Sequence, residues 1–244
     1  MKHTETKPCI TLAAYIHSFW ELKGDDSDSQ WERIFPDGCP GIVINLGEPC
    51  KTDNGLATMD HGKTYVVGAM NSFKDSFIDR NTHLLGVCLK PAVFSSFYNY
   101  APQNELANHT FEFDSPHSFD IEKINNAPTA YLNRYFLDRK RSLNESLQSV
   151  LNDIHISKGN VNIYEISKKN FITVRQLERA FKTHIGLTPK EYVNIVRFQS
   201  ALSMMSDVRQ KKGLSDIAFE CGFYDHAHLS NEIKRHTGLT PSQF

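Results

Sequence analysis

The chain is predicted to be α+β, in two parts. A small β-barrel or sandwich with flanking helices comes first. An all-α domain follows, made of one two-helix unit used twice around a long connecting helix. Three observations predict this. Short apolar, β-branched runs alternate with turn signals through the first 110 residues or so. From Ala127 onward the apolar residues recur at helical spacing. Finally, Lys182–Tyr192, KTHIGLTPKEY, returns as Lys234–Phe244, KRHTGLTPSQF, with six of eleven positions identical at an offset of 52 residues. A self-match at such a period marks a supersecondary unit used twice.

Composition agrees with a folded chain of this size. The 244 residues are 40% hydrophobic and 23% charged, enough for two ordinary domains. No apolar run approaches the ~20 residues that span a bilayer. The start, MKHTETKPCITLAAY, lacks the apolar core of a secretory signal, so a cytoplasmic chain with no membrane partner is expected. Cys9, Cys39, Cys50, Cys88 and Cys221 show neither metal nor disulfide spacing and read as reduced thiols. The net charge of −1 is unevenly divided. Residues 145–244 hold 13 Lys+Arg against 10 Asp+Glu, and residues 1–144 hold 14 against 18. A mildly basic second half suits a polyanion partner.

Ile42–Leu46, IVINL, is the first strand signal, set between the turns Pro36-Asp37-Gly38 and Gly47-Glu48-Pro49. Thr64–Val67, Ser72–Asp79 and His83–Leu89 follow as strands. A helix is expected after Pro91, with Phe94, Phe97, Tyr98 and Tyr100 as an aromatic face. Pro128–Lys140 carries Tyr131, Leu132, Tyr135 and Phe136 as an apolar stripe. Ser142 and Glu145 have capping-box spacing and are expected to open a helix carrying Leu143, Leu147, Val150, Leu151 and Ile154. The domain boundary is placed at residues 139–144, giving domains 1–141 and 142–244.

Within the second domain, Ile163–Asn170 and Thr173–His184 form the first helix pair. Thr173 caps the second helix, Leu177, Ala180 and Phe181 are its buried stripe, and Gly186 ends it. Thr188-Pro189 starts the long helix, with Ile195, Phe198, Leu202 and Met205 on one side. The pattern restarts with Leu214–Glu220, the turn Gly222-Phe223, and Asp225–His236. A short helix, a tight turn and a second helix with a polar outer face is the layout of a helix-turn-helix, here at about residues 161–187 and 213–239. Such a second helix fits the ~12 Å major groove of DNA. Two of them on a stiff connector can enter successive major-groove segments ~34 Å apart.

On these residues the second domain resembles the DNA-binding domain of the AraC/XylS family of bacterial transcription regulators. The first unit carries that family's Leu, Arg, Phe and Lys as Leu177, Arg179, Phe181 and Lys182. The second carries Ile-Ala, Gly-Phe, an Asp-x-x-His block and Thr-Gly-x-Thr-Pro. The resemblance implies sequence-specific binding to double-stranded DNA in transcription regulation, with RNA polymerase as a partner. It places base contacts at Arg175, Gln176, Glu178 and Arg179 in the first unit and at His226, Ala227, His228 and Asn231 in the second. Thr173, Lys182, Lys190, Lys234 and Arg235 are the phosphate candidates. Asn231 stands where the family usually has Arg, and Ile233 where it has Phe.

Chemistry gives these positions separate roles. Arg175 and Arg179 share a helix face and suit guanine O6 and N7, or else phosphate. Glu178 can accept from cytosine N4, or pair with Lys182 at i+4. His226 and His228 can donate to bases or phosphates; with no further ligands in view, they are not read as a metal site. Because Asn231 replaces an Arg, the first unit is expected to carry most of the direct readout and the second chiefly positioning.

The stretch from FWELKG through RIFPDGCPGIVINLGEP to HLLGVCLKP resembles an N-terminal sensor-like β domain of a subset of these regulators. A small-molecule effector and a homodimer are the partners this leaves open. The cupin-like outline raises a rival, a metal-dependent enzyme with a helical partner domain. A second rival is a degenerate regulator acting through protein contacts alone. Against the enzyme, no His-x-His box is present, and His17, His61 and His83 are isolated. No cofactor, metal or catalytic residue is therefore expected. Trp20, Trp31 and Phe35 fit either a pocket or a core, and Leu132, Tyr135 and Phe136 either a dimer helix or packing on the β domain.

Overall fold

The computed structural model describes residues 1–26, 29–113, 115–207 and 212–244. Ten strands run β1 (Lys2–Thr6), β2 (Ile16–Lys23), β3 (Ser29–Ile34), β4 (Gly41–Asn45), β5 (Cys50–Thr52), β6 (Ala57–Met59), β7 (Thr64–Val67), β8 (Lys74–Asp79), β9 (His83–Leu89) and β10 (Thr110–Glu112) among the described residues. The helices are α1 (Gln103–Leu106), α2 (Ile121–Asn126), α3 (Pro128–Arg139), α4 (Glu145–Ile156), α5 (Ile163–Lys169), α6 (Val174–His184), α7 (Pro189–Ser206), α8 (Leu214–Glu220) and α9 (His226–Thr237).

The main sheet is antiparallel, in the order β1-β2-β9-β4-β7-β10, and two two-stranded sheets, β3-β8 and β5-β6, accompany it. The main sheet is open, so of the two forms expected the barrel is not closed among the described residues. Its central strand explains why IVINL does not alternate. Ile42 and Ile44 face a core shared with Phe19, Val66, Phe94, Leu132 and Phe136, while Val43 faces a second cluster with Tyr65, Leu84 and Trp20. A strand buried on both faces reads as a continuous apolar run.

Three expectations need correction, and one open alternative is resolved. The stretch after Pro91 forms only a 3₁₀ turn at Phe94–Ser96. Ala92 takes a left-handed φ of 63°, which breaks the helical path, and Phe94, Phe97 and Tyr98 are buried without a solvent face. Helix α4 is capped by Asn144, whose side chain accepts from Leu147 N, and not by Ser142. Leu143 lies outside the helix and packs against the β-domain core. Leu132 and Phe136 are fully buried there, with Phe136 stacked 6.4 Å from Phe19, so this stripe packs on the β domain and offers no dimer surface.

Helix α7 serves two cores. Tyr192, Val193, Ile195 and Val196 join α4, Leu177 and Phe181 in the first unit. Phe198 and Ala201 join Ile217, Phe223, Leu229 and Ile233 in the second. Each large apolar side chain buried this way contributes about 1.5–3 kcal/mol. This shared helix fixes the two units relative to one another. Among the described residues no helix is long and apolar enough to cross a membrane.

Candidate nucleic-acid interface

The two recognition helices begin with side-chain caps. Thr173 Oγ1 accepts from Gln176 N at 3.2 Å, and Gln176 Oε1 accepts from Thr173 N at 2.9 Å. Asp225 Oδ1 accepts from His228 N at 2.7 Å. A side chain that satisfies a free N–H of the first turn stabilises a helix by about 1 kcal/mol. Behind the caps, Leu177 and Phe181 in α6 and Leu229 and Ile233 in α9 are fully buried. That leaves Arg175, Gln176, Glu178, Arg179 and Lys182 exposed on α6. His226, Ala227, His228, Asn231, Lys234 and Arg235 are exposed on α9.

The structure thus leaves the predicted residues exposed, with differences in freedom. Arg175 and Arg179 line an open groove with Thr173 and Gln176. Thr173 and Gln176 spend their oxygens on each other. Glu178 makes no ion pair with Lys182 among the described residues, so that expected pairing is not formed. His228 accepts from Tyr224 N through Nδ1 at 3.5 Å and meets the Phe223 ring edge-on, so it is held on its own turn. Arg235 lies 3.6 Å from Glu232. Lys190 is exposed at the start of α7.

Two exposed aromatics flank these helices and escaped the sequence reading. Phe171 is 97% exposed in the turn before α6, and Tyr224 is 93% exposed in the turn before α9. Phe171 also adopts φ 55°, matching the positive φ of Gly222 in the second copy's turn. A lone aromatic outside both apolar stripes was the available signal.

The repeated GLTP sequence has two jobs. Thr188 and Glu191 form a reciprocal capping box on α7, with Pro189 in its first turn, and Thr240 and Gln243 repeat the box at the C-terminus. The glycines adopt left-handed φ, 93° at Gly186 and 72° at Gly238, and both press against the N-terminal domain. A Cβ at Gly186 would lie 2.6 Å from Gln103 O, and one at Gly238 would lie 2.8 Å from Arg33 Nη1. Arg33, paired with Asp75 at 2.8 Å and seated over the Phe73 ring, donates to Thr237 O at 3.0 Å. Asn71 Nδ2 donates to Glu191 Oε1 at 3.3 Å, and His236 Nδ1 donates to Asn71 O at 3.0 Å. The N-terminal domain therefore holds the trailing end of each recognition helix and leaves the reading faces open.

The β domain carries a mostly apolar, partly open cavity of about 210 Å³. Trp20 and Phe35 line it, together with Val43, Met59, Met70 and Ile78. Trp31 does not; it is half-exposed and packs edge-on against Phe77. Polar groups interrupt the apolar wall, Glu32, Asp37 and Ser76 among them; at one point Lys74 Nζ lies 2.7 Å from Asp53 Oδ1, and Thr110 donates to both Asp53 oxygens at 2.8 Å. His61 and His83 are engaged locally, by Gly47 O and Glu21 respectively.

Two capped helices held on one scaffold, with exposed polar faces and buried trailing ends, make the C-terminal half a DNA-binding module of double helix-turn-helix design. Residues 166–244 match the model of a helix-turn-helix domain, and residues 4–112 match a domain of unknown function, DUF6597. The HTH-type transcriptional activator RhaS of Escherichia coli (strain SE11) is 25% identical over 130 residues, covering 50% of this chain and 46% of the relative. RhaS of Escherichia fergusonii is 28% identical over 133 residues, covering 51% and 47%. The match thus spans about half the length of these relatives. An apo ToxT variant from Vibrio cholerae strain SCE256 superposes with a TM-score of 0.52 at 16% identity, covering 92% of this chain and 96% of that one. ToxT from Vibrio cholerae O395 gives 0.50 at 15% identity, with 92% and 94% covered. These two share the fold. The chain thus joins a C-terminal helix-turn-helix domain, similar to that of these transcriptional activators, to an N-terminal β domain that matches a domain of unknown function. The two RhaS relatives are transcriptional activators, and the enzyme reading finds no support in them.

Proposed function

We propose that the chain is a sequence-specific transcription regulator that reads adjacent major-groove segments with α6 and α9. The observation that carries this reading is the pairing of two capped helices on the shared helix α7, each with its polar face exposed. Arg175 and Arg179 are the principal base-reading residues, with Glu178 beside them. His226, Ala227 and Asn231 give the second helix a weaker reading face. Gln176 and His228 reach bases only through the ring or amide atoms their caps leave free. Lys182, Lys190 and Lys234 contact phosphates, as does Arg235 once released from Glu232, while Thr173 approaches phosphate through its backbone. Tyr224 and Phe171 flank the duplex.

The β domain sets the activity of the module, through a small apolar effector in its cavity or through self-association. The domains divide at residues 141 and 142, the protein acts in the cytoplasm, and RNA polymerase is its partner at promoters. Support comes from the contacts between the β domain and both recognition helices, which give a bound effector a direct route to the reading faces. The test is a mobility-shift titration of the full chain against DNA from upstream of its own coding sequence, at several salt concentrations. Specific binding that weakens linearly in log salt is expected. Binding to no fragment, or binding indifferent to salt, rejects the reading.

A further inference from the structure

Although the cysteines show no ligand spacing in sequence, the fold brings two of them together. Cys88 lies on β9, where it pairs with Gly41 of β4. Cys39 stands two residues before Gly41 on the lead-in to β4, and Leu89 N donates to Pro40 O at 3.1 Å, fixing that lead-in to β9. Asp37 completes the group: its Oδ1 accepts from Cys39 N at 2.8 Å, which turns the carboxylate toward the thiols. One donor atom each from Asp37, Cys39 and Cys88 lies within 4.8 Å of the others.

We propose that Asp37, Cys39 and Cys88 form a binding site for a thiophilic divalent cation of the Zn²⁺ class, set at the joint between the two domains. Two thiolates and one carboxylate are a donor set that selects zinc over Mg²⁺ or Ca²⁺, which prefer all-oxygen shells. The geometry is close to what zinc needs. A tetrahedron with Zn–S bonds of ~2.3 Å has edges of roughly 3.8 Å, so side-chain rotations that shorten the separations by about 1 Å suffice. Two S–Zn bonds and one O–Zn bond form as the two thiol protons leave to solvent. No electron is transferred, and no oxidant is needed.

The surroundings favour a built site. Gly38, between two of the ligands, has φ 76° and rests on Tyr192, whose Cε2 would lie 2.7 Å from any added Cβ. The loop is thereby held in place by α7 of the other domain. Asp37 also faces a cleft of about 340 Å³ whose wall carries His155, Lys158, Gln199 and Ser200. That cleft leaves room for a water in the fourth coordination position, as in zinc sites with three protein ligands. Because Gln199 Nε2 donates to Pro36 O at 2.6 Å, an ion here would tie the segment 36–39 both to the sheet and to α7.

The test uses the full chain, reduced, metal-free and handled under nitrogen, and titrated with Co²⁺ as a spectroscopic stand-in for Zn²⁺. One equivalent should give thiolate-to-cobalt charge-transfer absorption with tetrahedral d–d bands, both bleached by one equivalent of Zn²⁺. Cys39→Ser and Cys88→Ser should lose the charge-transfer band, Asp37→Asn should keep it with weaker binding, and Cys9→Ser should leave it unchanged. Should a serine variant fail to fold, alkylation of the natural chain serves instead: one equivalent of Zn²⁺ should protect Cys39 and Cys88 and leave Cys9 reactive. Three results would overturn the proposal: no thiolate–cobalt band, a band that survives in a folded Cys88→Ser chain, or thiols that only join as a Cys39–Cys88 disulfide in air and gain no protection from Zn²⁺.

Discussion

His236 Nδ1 donates to the backbone oxygen of Asn71 across the domain joint at 3.0 Å. His236 belongs to the last turn of the second recognition helix and is 2% exposed, while Asn71 lies between β7 and β8. Through its side chain the same asparagine reaches Glu191, the capping residue that follows the first recognition helix. One loop residue therefore touches both reading units. His236→Phe preserves the ring contact with Phe198, 4.8 Å between centroids, but leaves the Asn71 oxygen unpaired. It is expected to cost about 1–3 kcal/mol in denaturant unfolding. It should also raise hydrogen exchange at residues 234–238. An unchanged midpoint would mean that the contact carries no weight.

The two reading faces should differ in strength. Arg179→Ala and Arg175→Ala are each expected to weaken specific DNA binding by ~1–3 kcal/mol if the guanidinium reads guanine, with discrimination lost at one base pair. A loss spread evenly over all sequences, with a shallower salt slope, assigns the same Arg to phosphate. Asn231→Arg should tighten binding and steepen the salt slope by about 1. If Asn231→Ala hurts more than Arg179→Ala in the same titration, the ranking of the two units is inverted.

Phe171 holds a left-handed backbone conformation that costs a non-glycine residue ~1–2 kcal/mol. Its side chain is almost wholly exposed and recovers little of that in packing. Phe171→Gly is therefore expected to leave thermal stability level or raised, since glycine's own entropic cost is about 0.5–1 kcal/mol. Loss of DNA affinity in this stable variant would place the aromatic ring at the duplex. Unchanged affinity would remove Phe171 from the interface.

The cavity in the β domain is bordered by a charge pair that must stay intact. Lys74 and Asp53 are each about a tenth exposed. Lys74→Met leaves the Asp53 carboxylate with Thr110 but without a cation. Breaking one side of a buried pair costs about 3–5 kcal/mol, and a drop of that order in unfolding free energy is expected. A loss below about 1 kcal/mol would show that water already reaches the pair.

Much of this architecture was legible because it is local. Thr173, Asp225, Gly186 and the Thr-Pro after it announce helix ends through their own backbone chemistry, and the structure places them there. The misreadings share a different cause. Ser142 and Glu145 have the spacing of a capping box, yet Asn144 is nearer the helix and takes the role. The aromatic run at Phe94–Tyr100 has helical spacing, but it is recruited into a core that surrounds it. What stayed hidden depends on distant partners. Nothing near Gly238 in sequence announces Arg33, and nothing near Cys39 announces Cys88; only the sheet register brings them together. The repeated glycines were readable as helix stops, whereas their second role as seats for the β domain was not.

Acid should loosen the contact between α4 and α7 through His155. Its Nε2 lies 2.8 Å from the Tyr192 hydroxyl, and the buried tyrosine is held protonated, with its pKa pushed well up by burial. Tyr192 therefore donates and His155 accepts, which requires a neutral imidazole. Burial in the cleft, and then the charge of Lys90, push the His155 pKa below the ordinary histidine value of 6.5. A folded pKa below the unfolded one means that the unfolded chain binds the proton more readily. The stabilisation is accordingly complete above about pH 6.5 and is lost progressively as pH falls from there toward the folded value. His155→Gln retains an acceptor for Tyr192 but cannot titrate. Denaturant midpoints measured from neutral to mildly acid pH should fall less steeply for this variant than for the natural chain. A residual slope should remain, because His17 and His184 are also lowered by burial. Superposable profiles for the two proteins would move the acid sensitivity away from the Tyr192 contact and onto those other histidines.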